Sequence, residues 1–233
     1  MQEGASRCVA SIADICVGCS GPEEDMSGTE TVRRRLSAPA RRERVEAAAV
    51  EVFAERGYDA TTLGDIARAA GVSRTVLYDH FRSKRDLYLH VLGTQNGAML
   101  AEVGAGITGA GPGQDRLRST IAAYLSFAHQ RPAARRLLVD PIPPGDPDLE
   151  QVLGAIRASR AQAVAAMLAP DLARSGVQAG STDAAVVVEL LITGIDGAAR
   201  WWREHPGTSL EEVTDIAARL LWNGLPRMGV RPR

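Results

Sequence analysis

A glycine between two short helical patterns constrains the fold of this chain more than any other feature. Before and after Gly71, residues 62–70 and 73–81 carry apolar residues at helical spacing, each behind a Thr or Ser that can cap a helix. Because glycine readily adopts a left-handed backbone conformation, the chain can turn sharply at this point. The segment therefore predicts a helix-turn-helix, in which the second short helix begins near Ser73.

Helical periodicity continues through the rest of the chain. An amphipathic helix is predicted from Pro39 to Gly57, and another from Ser83 to about Ala101. Further helices are predicted near residues 115–129, 148–168, 182–203 and 209–224. Since no series of strand patterns appears, the predicted fold class is all-α. The helix from Thr182 is apolar on almost every side, which predicts burial in a bundle or against another subunit.

Residues 104–113 (GAGITGAGPG) contain a formal G-x-G-x-x-G motif. A dinucleotide-binding fingerprint leaves a strand and opens a helix, whereas a helical pattern precedes this one and Pro112 extends it. We expect a flexible linker here. The four histidines are scattered, and no nucleophile lies in a recognisable dyad or elbow. A nucleotide-dependent enzyme is therefore the least favoured class, and no cofactor is predicted.

The first part of the chain predicts no folded domain. Residues 1–38 combine acidic, glycine and serine residues without a sustained period, as in a disordered arm. Cys8, Cys16 and Cys19 include a C-x2-C pair, but no second pair or nearby histidine completes a zinc site, so no metal is predicted. No apolar run is long enough to span a membrane and the start lacks a signal-peptide pattern, so we expect a cytoplasmic protein.

The formal net charge of −1 hides an uneven distribution of charge along the chain. Residues 33–85 hold twelve Arg and Lys against seven Asp and Glu, whereas residues 1–32 hold one against six. The positive charge thus surrounds the predicted helix-turn-helix. Such a distribution is typical of a domain that binds nucleic-acid phosphates.

The helix after Gly71 carries polar side chains that suit a DNA groove. Arg74 and Thr75 lie in its first turn, which a helix-turn-helix presents to base edges, and Arg74 can form a bidentate contact with guanine. Tyr78, His80 and Lys84 lie further along, where their donors can reach backbone phosphates. Tyr78 can equally cover the small core, and the other two can be ordinary surface residues.

The run from Arg42 to about Leu92, centred on FAERGYDATTLGDIARAAGVSRTVLYDHFRSKRDLY, resembles the N-terminal DNA-binding domain of TetR-family transcriptional regulators. The resemblance implies a helix-turn-helix domain at 39–85, followed by a helical effector-binding and dimerisation domain at 86–233. It further implies dimerisation through the helices near 182–203 and 209–224, and hence a palindromic double-stranded DNA operator. The residues that correspond to DNA contacts in the family are Thr62, Ser73, Arg74, Thr75, Tyr78, His80 and Lys84.

The resemblance also implies a small-molecule effector, although no ligand-specific motif identifies it. Candidate lining residues are Met99, Tyr124, Phe127, Leu138, Met167 and Trp201. Each of them is equally suited to a core or an interface. The predicted function is a ligand-responsive repressor, and the alternative is an architectural protein that binds DNA without sequence preference through its basic segment.

Overall fold

The computed structural model describes residues 37–108, 111, 113–139 and 147–224. Every regular element within these ranges is an α-helix, so the predicted all-α class is confirmed. The helices are α1 (Ala38–Arg56), α2 (Leu63–Ala70), α3 (Arg74–His80), α4 (Lys84–Thr108), α5 (Gln114–Gln130), α6 (Pro132–Val139), α7 (Pro147–Arg174), α8 (Thr182–Glu204) and α9 (Leu210–Gly224).

Local sequence signals set the ends of the first helices. The side chain of Ser37 caps α1, which ends at Gly57 with a φ of 78°. A reciprocal capping box between Thr62 and Asp65 begins α2, and Gly71 ends it in the left-handed conformation. These ends agree with those predicted, because a cap and a glycine stop act within one helical turn.

Helices α1 to α3 form a small head that shares its core with the start of α4. Buried side chains from all four helices meet there: Val45, Ala49, Phe53, Ile66, Leu77, Phe81, Leu87 and Val91. α2 packs on α1, and α3 packs on both of them. Since the apolar sides of α2 and α3 are both fixed by this core, the opposite side of α3 is held in a defined orientation.

Helix α4 is longer than predicted and continues through Gly104 and Gly106 to Thr108. The expectation of a linker was therefore wrong for residues 104–108. A β-carbon at position 106 would lie only 3.0 Å from Cβ of Ala123 and 3.2 Å from the carbonyl oxygen of Ser119. The absence of a side chain there lets α4 and α5 approach closely, and this packing outweighs the low helix propensity of glycine.

Helices α5 to α9 form the body. α5, α8 and α9 begin and end within about one residue of the bounds that the Pro-rich and Gly-rich breaks predict. α6 was not predicted, and α7 continues six residues past 168 to Arg174, with Pro170 inside it. The body core contains Leu117, Ile121, Leu125, Leu168, Leu191 and Ile195.

Several predictions concern residues outside the described ranges. The arm at 1–38 is described only at Ser37 and Ala38, which open α1, and the three cysteines lie outside. The division into domains after residue 85 stays a prediction, and α4 begins at Lys84 in the head and runs on into the body. None of the helices in the described part is both long and apolar enough to cross a membrane.

Candidate DNA interface and ligand cavity

Helix α3 has one anchored side and one open side. Leu77 is completely buried against the head, whereas Arg74, Thr75 and Tyr78 are exposed, with 56% of Tyr78 accessible. A large aromatic side chain with this much of its surface exposed to solvent does not serve mainly to pack against the core. The open side therefore offers a guanidinium, a hydroxyl and a phenol to an external partner.

The two capping residues lie at the exposed starts of α2 and α3. Thr62 Oγ1 accepts from the Asp65 amide at 3.2 Å and donates to Asp65 Oδ2 at 2.5 Å, and Ser73 Oγ accepts from the Val76 amide at 3.3 Å. The hydrogen bonds from the Thr62 side chain and backbone lower the pKa of the Asp65 carboxyl below its ordinary value. Both hydroxyls are thus engaged in ordering the helix starts.

Lys84 and His80 occupy more sheltered positions than the other predicted DNA contacts. Lys84 Nζ donates to the carbonyl oxygens of Tyr58 at 2.9 Å and Asp59 at 3.4 Å, and it lies 4.3 Å from the centre of the Tyr58 ring. His80 is half-buried at the end of α3. The lysine therefore ties the start of α4 to the turn after α1, an interaction that sequence reasoning did not anticipate.

The guanidinium of Arg74 lies back across the start of α2. A β-carbon on Gly64 would meet the arginine side chain, with Cζ at 2.9 Å and Nε at 3.0 Å. No described residue gives Arg74 a hydrogen bond or an ion pair. Its donors are consequently available to a partner outside the chain.

The body contains an apolar cavity between α4, α5, α6, α7 and α8. The cavity is small, and part of the space between its walls is open to solvent at its mouth. Its lining is apolar except for Thr120, Tyr124 and Arg160, and the other lining residues are Met99, Leu100, Val103, Leu117, Val139, Val164, Leu168, Leu191, Ile192 and Ile195. Such a lining suits an aliphatic ligand.

The predicted lining residues are divided between this cavity and other parts of the body. Met99 and Tyr124 line it. Phe127 and Leu138 belong to the core shared with the head, and Trp201 borders an apolar groove between α8 and α9. Met167 lies beside Gly104, with its methyl carbon 3.9 Å from a β-carbon built there. Only two of the six therefore face the cavity directly.

A buried polar cluster adjoins the cavity. Asp196 accepts hydrogen bonds from the Tyr124 hydroxyl at 2.8 Å and from Arg135 Nη1 at 2.6 Å, and the Arg135 and Asp196 side chains are only 5% and 8% exposed. Burial and the neighbouring carboxylate raise the pKa of Tyr124 above its ordinary value. The hydroxyl therefore stays protonated, and it remains a donor to Asp196.

A polar recess shares Val139, Arg160 and Ile192 with the cavity. Arg157, Glu150 and Glu189 also line this recess. Burial lowers the pKa of Arg160, whose Nη1 donates to the carbonyl oxygen of Leu138 at 3.2 Å and whose buried Nε has no hydrogen-bond acceptor among the described residues. The combined space thus has an aliphatic interior and a polar end that offers both donors and acceptors.

A helix-turn-helix head with an open polar face, joined to a helical body with an internal cavity, defines a class of DNA-binding proteins that can respond to a ligand. The model of the family described as "Bacterial regulatory proteins, tetR family" matches residues 47–91. Residues 47–91 thus match the DNA-binding part of this family, and the chain is similar to TetR-family transcriptional regulators.

Relatives of the chain include regulators of opposite sign. The HTH-type transcriptional activator FasR of Mycolicibacterium smegmatis is 28% identical over 203 residues, which cover 87% of this chain and 91% of FasR. The negative regulator of the biofilm operon icaADBC in Staphylococcus aureus, IcaR, is 48% identical over 40 residues, 17% of this chain and 22% of IcaR. Similarity to these two proteins therefore does not determine whether this chain activates or represses transcription.

The fold is also similar to that of FadR from Bacillus subtilis, solved in complex with stearoyl-CoA. The two structures superpose with a TM-score of 0.64 at 19% sequence identity, over 82% of this chain and all of that one. At this identity the similarity establishes the fold.

Proposed function

We propose that this regulator is a ligand-responsive repressor that binds a palindromic operator as a homodimer in the bacterial cytoplasm. The observation that carries the proposal is the open side of α3, where Arg74, Thr75 and Tyr78 are exposed above a buried anchor. The donors of Arg74, which no described residue engages, suit a guanine edge. Repression fits the short match to IcaR, whereas the longer match to FasR is to an activator.

The homodimer is supported by apolar side chains left exposed on α8 and α9. Trp201, Ile216 and Leu220 line the groove between the two helices, and Val186 and Leu190 are exposed earlier on α8. Leu220 is 74% exposed, which is unfavourable for a leucine in water unless a partner covers it. A two-fold pairing through these side chains would present two α3 helices to successive turns of one DNA face.

The proposed effector class is a long-chain acyl-CoA. The apolar cavity suits the aliphatic chain, and the recess around Arg157, Arg160, Glu150 and Glu189 suits a head group that both accepts and donates hydrogen bonds. The amides and phosphates of coenzyme A provide such groups together. The stearoyl-CoA bound by the Bacillus subtilis protein of the same fold supports this choice.

Sequence-specific binding is tested by measuring the affinity of the native dimer for two DNA duplexes. One duplex comes from its own upstream intergenic region, and the other has the same bases in scrambled order. At about 150 mM salt, where weak nonspecific attraction is screened, we expect a preference of roughly a hundredfold that Arg74→Ala abolishes. Equal binding to both duplexes would support the architectural alternative. Absence of binding to either would contradict the role assigned to α3.

Repression is tested with a reporter gene placed behind the bound duplex. Expression should fall when the native chain is present and recover with Arg74→Ala. A rise in expression with the native chain would instead make it an activator, as FasR is described.

A further inference from the structure

Position 64 has a direct steric relation to the first residue of α3. Gly64 is the second residue of α2, and the guanidinium group of Arg74 occupies the space that a side chain at 64 would fill. Cζ and Nε of Arg74 would lie 2.9 Å and 3.0 Å from such a β-carbon, and Nη2 would be closer still. Real β-carbons do not tolerate contacts this short, so any residue other than glycine displaces the guanidinium.

Among the described residues, no stronger interaction holds the guanidinium in place. No described residue forms a hydrogen bond or an ion pair with Arg74, and the start of a helix does not attract a cation through its dipole. The location of the group therefore depends on the contact surface of the bare α2 backbone at Gly64. A long, flexible arginine without such a surface would sample many rotamers.

We propose that Gly64 is a specificity-determining position that places Arg74 for base reading. Its missing side chain lets the guanidinium lie between the starts of α2 and α3, so that the arginine reaches the groove from a restricted set of rotamers. Because the arginine side chain is then already ordered, less conformational entropy is lost when its guanidinium group forms hydrogen bonds with a base edge. This inference rests on the proposed function, because it requires that Arg74 reads DNA.

The test uses the full chain in four forms: native, Gly64→Ala, Arg74→Ala and the double variant. Gly93→Ala is the matched control, because Gly93 is likewise a helical glycine and a β-carbon there meets nothing within 4 Å. Each form is used to select binders from a randomised duplex pool. Affinity is then measured for the native consensus and for each of its single base-pair changes.

We expect Gly64→Ala and Arg74→Ala to weaken discrimination at the same base pair of each half-site, each by about tenfold per half-site, the usual value of one arginine contact to guanine. Gly64→Ala should have no further effect in the Arg74→Ala background, and Gly93→Ala should bind as the native chain does. The melting temperature of Gly64→Ala should not fall, since alanine is the better helix former.

Two results would overturn the inference while leaving the proposed function intact. One is unchanged discrimination in Gly64→Ala. The other is an equal loss in the presence and absence of Arg74, which would mean that the α2 backbone itself approaches DNA at position 64. If the native chain selects no consensus at all, the proposed function fails, and the inference fails with it.

Discussion

Lys84 is the only lysine in the chain, and its ammonium group is committed to partners inside the head. Two carbonyl oxygens and the Tyr58 ring surround it, at distances typical of hydrogen bonds and of a cation over an aromatic face. Three donors allow it to keep these contacts and also meet a phosphate. Its role in the fold and its predicted role on DNA are therefore separable by measurement.

Replacing Lys84 by methionine keeps most of the aliphatic chain and removes the charge. We expect the free energy of unfolding to fall by about 1 kcal/mol, because a charge-assisted hydrogen bond at a partly exposed position is lost. Thermal or urea unfolding measures this. Arg82→Met is the matched control, because Arg82 is exposed and its side chain makes no hydrogen bond within the described residues. Equal stability of the two variants would contradict the structural role.

The same pair of variants tests the DNA contact. If Lys84 also binds a phosphate, its loss should reduce the slope of log affinity against log salt by about one, uniformly across sequences. A change in stability with an unchanged salt slope would mean that Lys84 stabilises the fold but does not bind a phosphate.

At the scale of helices, Asp196 holds three of them together. It lies on α8 and accepts from Tyr124 on α5 and Arg135 on α6, while α6 also packs against α1 of the head. Since Tyr124 lines the cavity, this cluster lies between the cavity and the helix that supports the head. A ligand that moves Tyr124 would perturb α6 through Asp196.

Asp196→Ala should destabilise the protein by about 3–5 kcal/mol, because it leaves the Arg135 guanidinium buried without its counter-ion. Chemical unfolding is the measurement. Asp183→Ala, at the exposed first turn of the same helix, is the control and should cost far less. A loss below about 1 kcal/mol for Asp196→Ala would mean that water replaces the carboxylate.

The elements predicted well from sequence are those whose signals are local. Caps at Thr62 and Ser73 and stops at Gly57 and Gly71 act within one turn, so these helix ends could be predicted from the local sequence. The open side of α3 followed from the same pattern, since the residues between apolar anchors must face away from the core.

The features that sequence reasoning missed depend on contacts distant in the chain. Gly106 is helical because α5 packs on it, and the hydrogen bonds of Lys84 span more than twenty residues. Asp196 meets Arg135 across sixty-one positions. No periodicity encodes such pairs, so the composition of the cavity wall and its polar cluster could not be derived.

For the whole molecule, packed helices connect the proposed DNA face to the proposed effector cavity. α4 begins in the head core and lines the cavity further along, and α6 connects the Asp196 cluster to α1. A ligand changes DNA affinity only if it binds the DNA-competent and incompetent arrangements with different affinity. Coupling of this kind is reciprocal: each partner must change the affinity of the other by the same factor.

Stearoyl-CoA should therefore weaken operator binding by roughly 5- to 150-fold, the range of typical coupling energies, and saturating operator DNA should weaken stearoyl-CoA binding by that same factor. Titration calorimetry of each ligand, with and without the other, measures both. Coenzyme A without the acyl chain is the control and should have little effect, since it leaves the apolar cavity empty. Unequal factors cannot arise from one thermodynamic cycle, so they would show that the acyl-CoA acts on a different species, such as a dissociated dimer. An effect of free coenzyme A equal to that of stearoyl-CoA would exclude the cavity as the site of control.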